Sequence, residues 1–296
     1  MNKARVMLLA FGLLLSTCAV SVATISKFLR IDFPFAGGQF GTYVFGANNK
    51  GQVVGFTYDG TGAAHSFESG SDANLIQLDV PDTLATFAHG INDAGHIAGS
   101  FVDQAGVHGF TYVDGAYAMI DAPLATKGTV PYGINNREEI VGYFANETGT
   151  HGFLYAAGAF TVLDNPGGTD TVAYGINQSG QIVGTFRDSS GTHSFLYHQG
   201  KFTRIESPIE ASLTLAYGVN DGGQIVGTFL DGEGMHGFIS DGREFTTVDF
   251  PGEGGRTVMS GINNSGDVIG NVYESRGAVH GVLMSTDIIQ PVPDRE

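Results

Sequence analysis

Six of the nine histidines recur at one spacing: His65, His108, His151, His193, His236 and His280. Behind five of them stands an acid followed by x-Pro, at Asp79, Asp121, Asp164, Glu206 and Asp249. Zinc needs three or four convergent ligands. Histidines distributed one per repeat cannot converge on one ion, so each is expected to hydrogen-bond the recurring acid or an Asn of its own or the next unit. The remaining His89, His96 and His198 show no metal-ligand spacing. The carboxylates suggest a second chemistry. Asp59, Asp103, Asp188 and Asp231 fall at one place in their units, and Asp170 sits in a link between two units. Acids gathered on one face could hold Ca²⁺, which takes six to eight oxygens. Against that, Asp is a common turn initiator, and no D-x-[DN]-x-[DN]-G loop is present. Tyr132, Tyr174 and Tyr217 offer faces for a sugar ring in a chain without Trp, or simply pack the units together. No G-x-S-x-G, H-E-x-x-H or P-loop occurs.

The elements that position these residues follow from a repeat. Gly-x-Asn, a short turn, two apolar residues and Gly recur from Gly46, Gly90, Gly133, Gly175, Gly218 and Gly261, every 42 to 44 residues. Each unit holds four short runs rich in β-branched and aromatic residues, separated by Gly, Asn, Asp and Ser. In the fourth unit these are 171–177, 181–187, 193–198 and 201–206. Such runs read as strands joined by hairpins. No stretch after residue 24 keeps an apolar period of 3.6, which argues against helix. Four strands in about 40–45 residues is the arithmetic of a β-propeller blade, and a solenoid coil would be shorter. The expected fold is therefore all-β, a six-bladed propeller.

Unit six stops after its third strand, near 279–284. Its missing fourth strand is found at the other terminus, where Phe28-Leu29-Arg30-Ile31-Asp32-Phe33-Pro34 matches Phe245-Thr246-Thr247-Val248-Asp249-Phe250-Pro251. The ring is thus expected to close by a clasp that covers an otherwise open sheet edge. One propeller then spans 24–285, with 286–296 as a tail.

Residues 1–23 read as a signal peptide. Lys3 and Arg5 precede an apolar stretch, Val6 to Leu15, and Ser21 to Ala23 has the small–x–small form that precedes cleavage. The stretch is short for a membrane span of about 20 residues. A second reading takes Leu15-Ser16-Thr17-Cys18 as a lipobox that leaves a lipidated Cys18, and only that form would be tied to a membrane. Cys18 is the one cysteine of the chain, so the exported form has no disulfide. With 14 Lys+Arg against 30 Asp+Glu and no basic run, nucleic acid is excluded as a partner.

Gly-Ile-Asn-x-x-Gly-x-Ile-Val-Gly followed by His-small-Phe resembles the HAF family of extracellular repeats, over the whole chain after residue 23. The triplet is His-Gly-Phe at His108, His151 and His236, His-Ser-Phe at His65 and His193, and His280-Gly281-Val282 in the last unit. The resemblance implies secretion and a repeat architecture, and it brings no catalytic residues. The functional expectation is a non-catalytic, monomeric scaffold without a cofactor, binding an extracellular protein or polysaccharide through one face. The alternative is a secreted hydrolase or lyase working through carboxylates over the channel, with Ca²⁺ as its candidate ion.

Overall fold

Five Gly-x-Asn units each fold into a twisted antiparallel sheet of four strands, the sixth supplies three strands of a like sheet, and the six sheets form a ring, as a computed structural model of the chain describes. It covers residues 28–33, 41–70, 75–207, 211–250, 256–275 and 277–285, with the backbone of 20–22. Blade four is typical: Thr169–Ile176 lies innermost, followed outward by Ile182–Asp188, Gly191–His198 and Lys201–Ile205. Alternation along the inner strands sends one row of side chains into the space between blades and the other toward the channel.

The first turn of every blade is made by its Asn. In blade four Asn177 Oδ1 accepts from the amides of Ser179 and Gln181 at 3.1 and 2.9 Å. Gly180 then takes a left-handed φ of 75°, which glycine adopts without a steric penalty. Blade three carries Glu138 at this place, also left-handed at φ 61°. Its carboxylate lies 3.0 Å from Nδ1 of His96 in blade two.

The core lies between blades. The Phe of each His-x-Phe triplet, Phe67, Phe110, Phe153, Phe195 and Phe238, is almost wholly buried. Each such burial is worth about 1.5–3 kcal/mol. Phe110, for example, packs with Val54 of the preceding blade and with Ala88, Ile91 and Ile97 of its own. The residue between His and Phe is matched to the next blade. Ser66 and Ser194 accept a hydrogen bond from the amides of Ala88 and Ala216 at 2.7 and 2.8 Å. Gly109 instead faces the ring of Pro131, which has no amide hydrogen and whose Cδ would lie 3.0 Å from a Cβ on Gly109.

The ring closes through the N-terminal strand. Phe28–Ile31 pairs antiparallel with Val279–Met284 as the outer strand of blade six, in the register Phe28↔Met284 to Ile31↔Gly281. Ile31 and Phe33 enter a core with Val44, Val53, Phe67 and Ile269. Outside the fourfold pattern, Val20–Val22 runs parallel beside Phe245–Val248, the outer strand of blade five. This short strand falls within the segment read as a signal. The rest of that segment and residues 286–296 lie outside the described residues.

Candidate functional site

Every inner strand carries a β-bulge at the same place. The register shifts between Val44 and Gly46, Ala88 and Gly90, Pro131 and Gly133, Ala173 and Gly175, Ala216 and Gly218, and Met259 and Gly261. A bulge leaves one residue out of the ladder and re-aims its side chain. The six residues so released are Phe45, His89, Tyr132, Tyr174, Tyr217 and Ser260, and all six line the channel. The glycine that follows lets neighbouring inner strands approach closely: a Cβ on Gly133 would lie 2.7 Å from the carbonyl oxygen of Tyr174.

Five of the released residues are aromatic and form an arc. Successive ring centroids are 5.5 Å apart for Phe45–His89, 4.7 Å for His89–Tyr132, 4.9 Å for Tyr132–Tyr174 and 5.0 Å for Tyr174–Tyr217. Most of these contacts are edge-to-face, a favourable arrangement for aromatic quadrupoles. Ser260 breaks the arc. Beside it a cavity of about 280 Å³ extends toward the face that carries the second hairpins, bounded also by Val258, Asn271 and Tyr273 of blade six. Ser260 Oγ donates to the carbonyl of Val44 at 2.6 Å. The Asn271 amide clamps the same residue, donating to its carbonyl at 3.1 Å and accepting from its N–H at 2.9 Å. Tyr132, Tyr174 and Tyr217 thus contact one another and wall the cavity at once.

Among the described residues the lining contains no Asp, Glu, Lys or Arg. Burial raises the hydroxyls of Tyr132, Tyr174 and Tyr217 above their ordinary range, so all three stay neutral. His89 is neutral too. Burial pushes its pKa down to about 4, partly opposed by its bond to the Pro131 carbonyl. Nδ1 makes that 2.8 Å bond as the donor, which leaves Nε2 as an acceptor. Between about pH 6.5 and 4 the unfolded chain binds a proton at His89 and the folded chain does not. The stability that neutral His89 contributes is therefore full above pH 6.5 and is lost as pH falls toward 4, by roughly 3 kcal/mol at about 1.4 kcal/mol per pH unit. His89→Phe should flatten the fall in melting temperature between pH 7 and pH 4. An unaltered slope would assign that acid sensitivity to other groups.

The other mouth of the channel is ringed by amides. Asn48, Asn92, Asn135, Asn177, Asn220 and Asn263 each donate Nδ2–H to the backbone carbonyl of the equivalent Asn in the next blade, at 2.9 to 3.3 Å. The sixth bond returns to Asn48, so the circle is complete. Turn formation by these residues is readable from spacing, whereas the bond across the blade boundary has no local signal.

The repeated histidines bracket the hairpin face. Nδ1 of His65, His108, His151, His236 and His280 donates to Asp79, Asp121, Asp164, Asp249 and Asp32 at 2.7 to 2.8 Å. Nε2 lies 2.8 to 3.5 Å from the hairpin acid in five blades: Asp59, Asp103, Asp188, Asp231 and Glu274. In blade three it meets Asn146 at 3.3 Å. The bond to Asp79 raises the pKa of His65. For His236, burial works the other way and is outweighed by Asp249 and Asp231.

The acids weighed as Ca²⁺ ligands are spread over four blades, with Asp170 and Asp188 both in blade four, and have backbone or hydroxyl donors on their oxygens. Asp59 accepts from the hydroxyl and amide of Thr61 at 2.7 and 2.8 Å, and Asp188 from those of Ser190 at 2.6 and 2.7 Å. These bonds hold both carboxyls well below the usual range. Asp103 caps Ala105, Asp231 caps Glu233, and Asp170 lies 3.3 Å from the amide of Thr150. Among the described residues no three His, Cys, Asp or Glu side chains gather in a way that could hold a metal.

No family model matches the sequence, and neither does any curated protein. Solved structures do match. The fold is similar to that of AofleA from Arthrobotrys oligospora, with a TM-score of 0.55 and 11% identity over 88% of this chain and 87% of that one. The Aleuria aurantia lectin in complex with Fucα1-6GlcNAc matches at 0.52 and 11%, over 82% of this chain and 92% of that one. TolB from Acinetobacter baumannii matches at 0.54 and 12%, over 85% and 65%. At such identities the likeness establishes architecture: the protein is a six-bladed β-propeller.

Proposed function

We propose that this is a secreted, non-catalytic binding propeller whose hairpin face engages an extracellular partner, best a glycan, with one uncharged ring seated in the aromatic end of the channel. The observation that carries this reading is the cavity at Ser260, walled by aromatic faces and neutral polar groups. Its size suits one substituted six-membered ring, since a dry cavity of about 150 Å³ already admits benzene. Tyrosine faces would pack against the C–H face of a sugar, and His89 Nε2 and the tyrosine hydroxyls would meet its hydroxyls. A charged ring would lose its hydration with no charged side chain in the described lining to replace it. A hydrolase using two carboxylates needs them about 5–9.5 Å apart across the bond to be cleaved, and among the described residues none lines this cavity. A lectin and a putative gluconolactonase share this architecture, so the likeness bears on the fold alone and the cavity lining carries the choice.

The test is a titration of neutral oligosaccharides against the matching uronic-acid oligosaccharides, followed by tyrosine fluorescence, which no Trp obscures. Neutral sugars should alter the signal and uronates should not. Ser260→Tyr, which completes the arc and fills the cavity, should weaken binding at least tenfold without lowering the melting temperature. A preference for uronates, or full affinity in Ser260→Tyr, would remove the channel from the mechanism.

A further inference from the structure

Blade four breaks the bracket that the other five blades keep. Its acid is Glu206, one methylene longer than Asp, and it turns to Nε of Arg204 at 2.8 Å instead of to His193. His193 is held by its other nitrogen, Nε2, 2.8 Å from Asp188 and 2.9 Å from Ser190 Oγ. Nδ1, closed by an Asp in every other blade, has no hydrogen-bond partner among the described residues. Where the bracket fails to close, a cleft of about 260 Å³ opens between blades four and five on the hairpin face, lined among others by Thr192, His193, Arg204, Glu206, Ser207 and Leu213.

We infer that this cleft is a second binding site, distinct from the channel, and that it takes the vicinal diol of a saccharide. Arg204 and Glu206 cancel each other's charge, so neither a cation nor an anion is favoured over water. Side by side, a guanidinium that only donates and a carboxylate that only accepts match two neighbouring hydroxyls, each of which does both. Nδ1 of His193, unpartnered among the described residues, supplies a third polar contact, and Leu213 and Ile205 offer an apolar wall to the C–H face of the ring. Phosphate or carboxylate ligands would need an unpaired cation, and the ion pair supplies none.

The probe is saturation-transfer NMR with the methyl glycosides of galactose, mannose and fucose, read on the full chain and on three variants whose melting temperatures are also measured. At least one glycoside should receive saturation. Arg204→Ala should weaken that binding at least tenfold. Glu206→Asp should weaken it as much while raising the melting temperature by a few degrees, because the shorter acid can reach His193 and complete the sixth bracket. Ser260→Tyr should leave cleft binding intact. The site is refuted if no glycoside receives saturation, or if Arg204→Ala and Glu206→Asp both bind like the parent. Binding lost in Ser260→Tyr alone would refute the cleft and keep the channel. Binding lost in the two cleft variants alone would do the reverse.

Discussion

A chain that begins at Pro34 instead of Thr24 should lose its cooperative melt. The missing segment supplies the whole outer strand of blade six. Ile31 and Phe33 leave the core shared with blade one, at about 1.5–3 kcal/mol each. His280 loses its Asp32 partner, and Thr42 loses the 2.7 Å bond that its hydroxyl accepts from the Phe33 amide. Together these changes exceed about 5 kcal/mol, enough to lower a domain of this size by 10 °C or more. Val279–Met284 would then present an unpaired edge, so concentration-dependent association should accompany the loss. A synthetic peptide of residues 27–33 added in trans should restore part of the melt. A shortened chain that stays monomeric and melts like its parent would show that the ring does not depend on its clasp.

Asn177→Ala should cost nearly as much from a single side chain. Asn177 is 3% exposed. Its Oδ1 serves the amides of Ser179 and Gln181, while Nδ2 serves Gln181 Oε1 at 2.7 Å and the carbonyl of Asn220 at 2.9 Å. Truncation leaves two amides without partners at about 1–3 kcal/mol apiece, partly relieved by water at the mouth, and takes one of two donors from the Asn220 carbonyl, which keeps the amide of Gly223 at 3.0 Å. The expected loss is about 3–5 kcal/mol in chemical denaturation. Asn177→Asp separates the two jobs of the residue. It keeps the acceptor of the turn and sets a carboxylate against the Asn220 carbonyl, so it should also be destabilising at neutral pH. If Asn177→Ala falls within about 1 kcal/mol of the parent, the amide circle is ornament to the fold.

The blades and their closure were legible because both rest on short-range pattern. Strand runs, Asn-initiated turns and the match of 28–34 to 245–251 are properties of contiguous residues, and in blade four the expected strands differ from the observed ones by two residues or fewer at either end. What stayed hidden depends on neighbours a blade away. His89 looks like a leftover by metal-ligand spacing, yet it occupies the bulge position held elsewhere by Phe45 or a tyrosine, and aligning the residue before each Gly-x-Asn would have found it. The same column exposes Ser260 as the gap in the arc. Glu206 in a column of aspartates was equally visible, but its consequence turns on whether the longer acid reaches His193 or Arg204. The cavity itself has no sequence signature, because its walls come from all six inner strands and the second strand of blade six.

The pairing of Gly109 with Pro131, and of Ser66 and Ser194 with the amides of Ala88 and Ala216, gives the blade boundaries more than one kind of fit. A blade moved to another position would bring a hydroxyl to a proline ring or leave an amide without its acceptor. The order of the six blades is therefore restricted by chemistry at these seams, although their strands are nearly interchangeable. Reopening the circle between any two blades would preserve every seam, whereas shuffling the blades would not. An array of this kind can drift apart in sequence only two neighbours at a time.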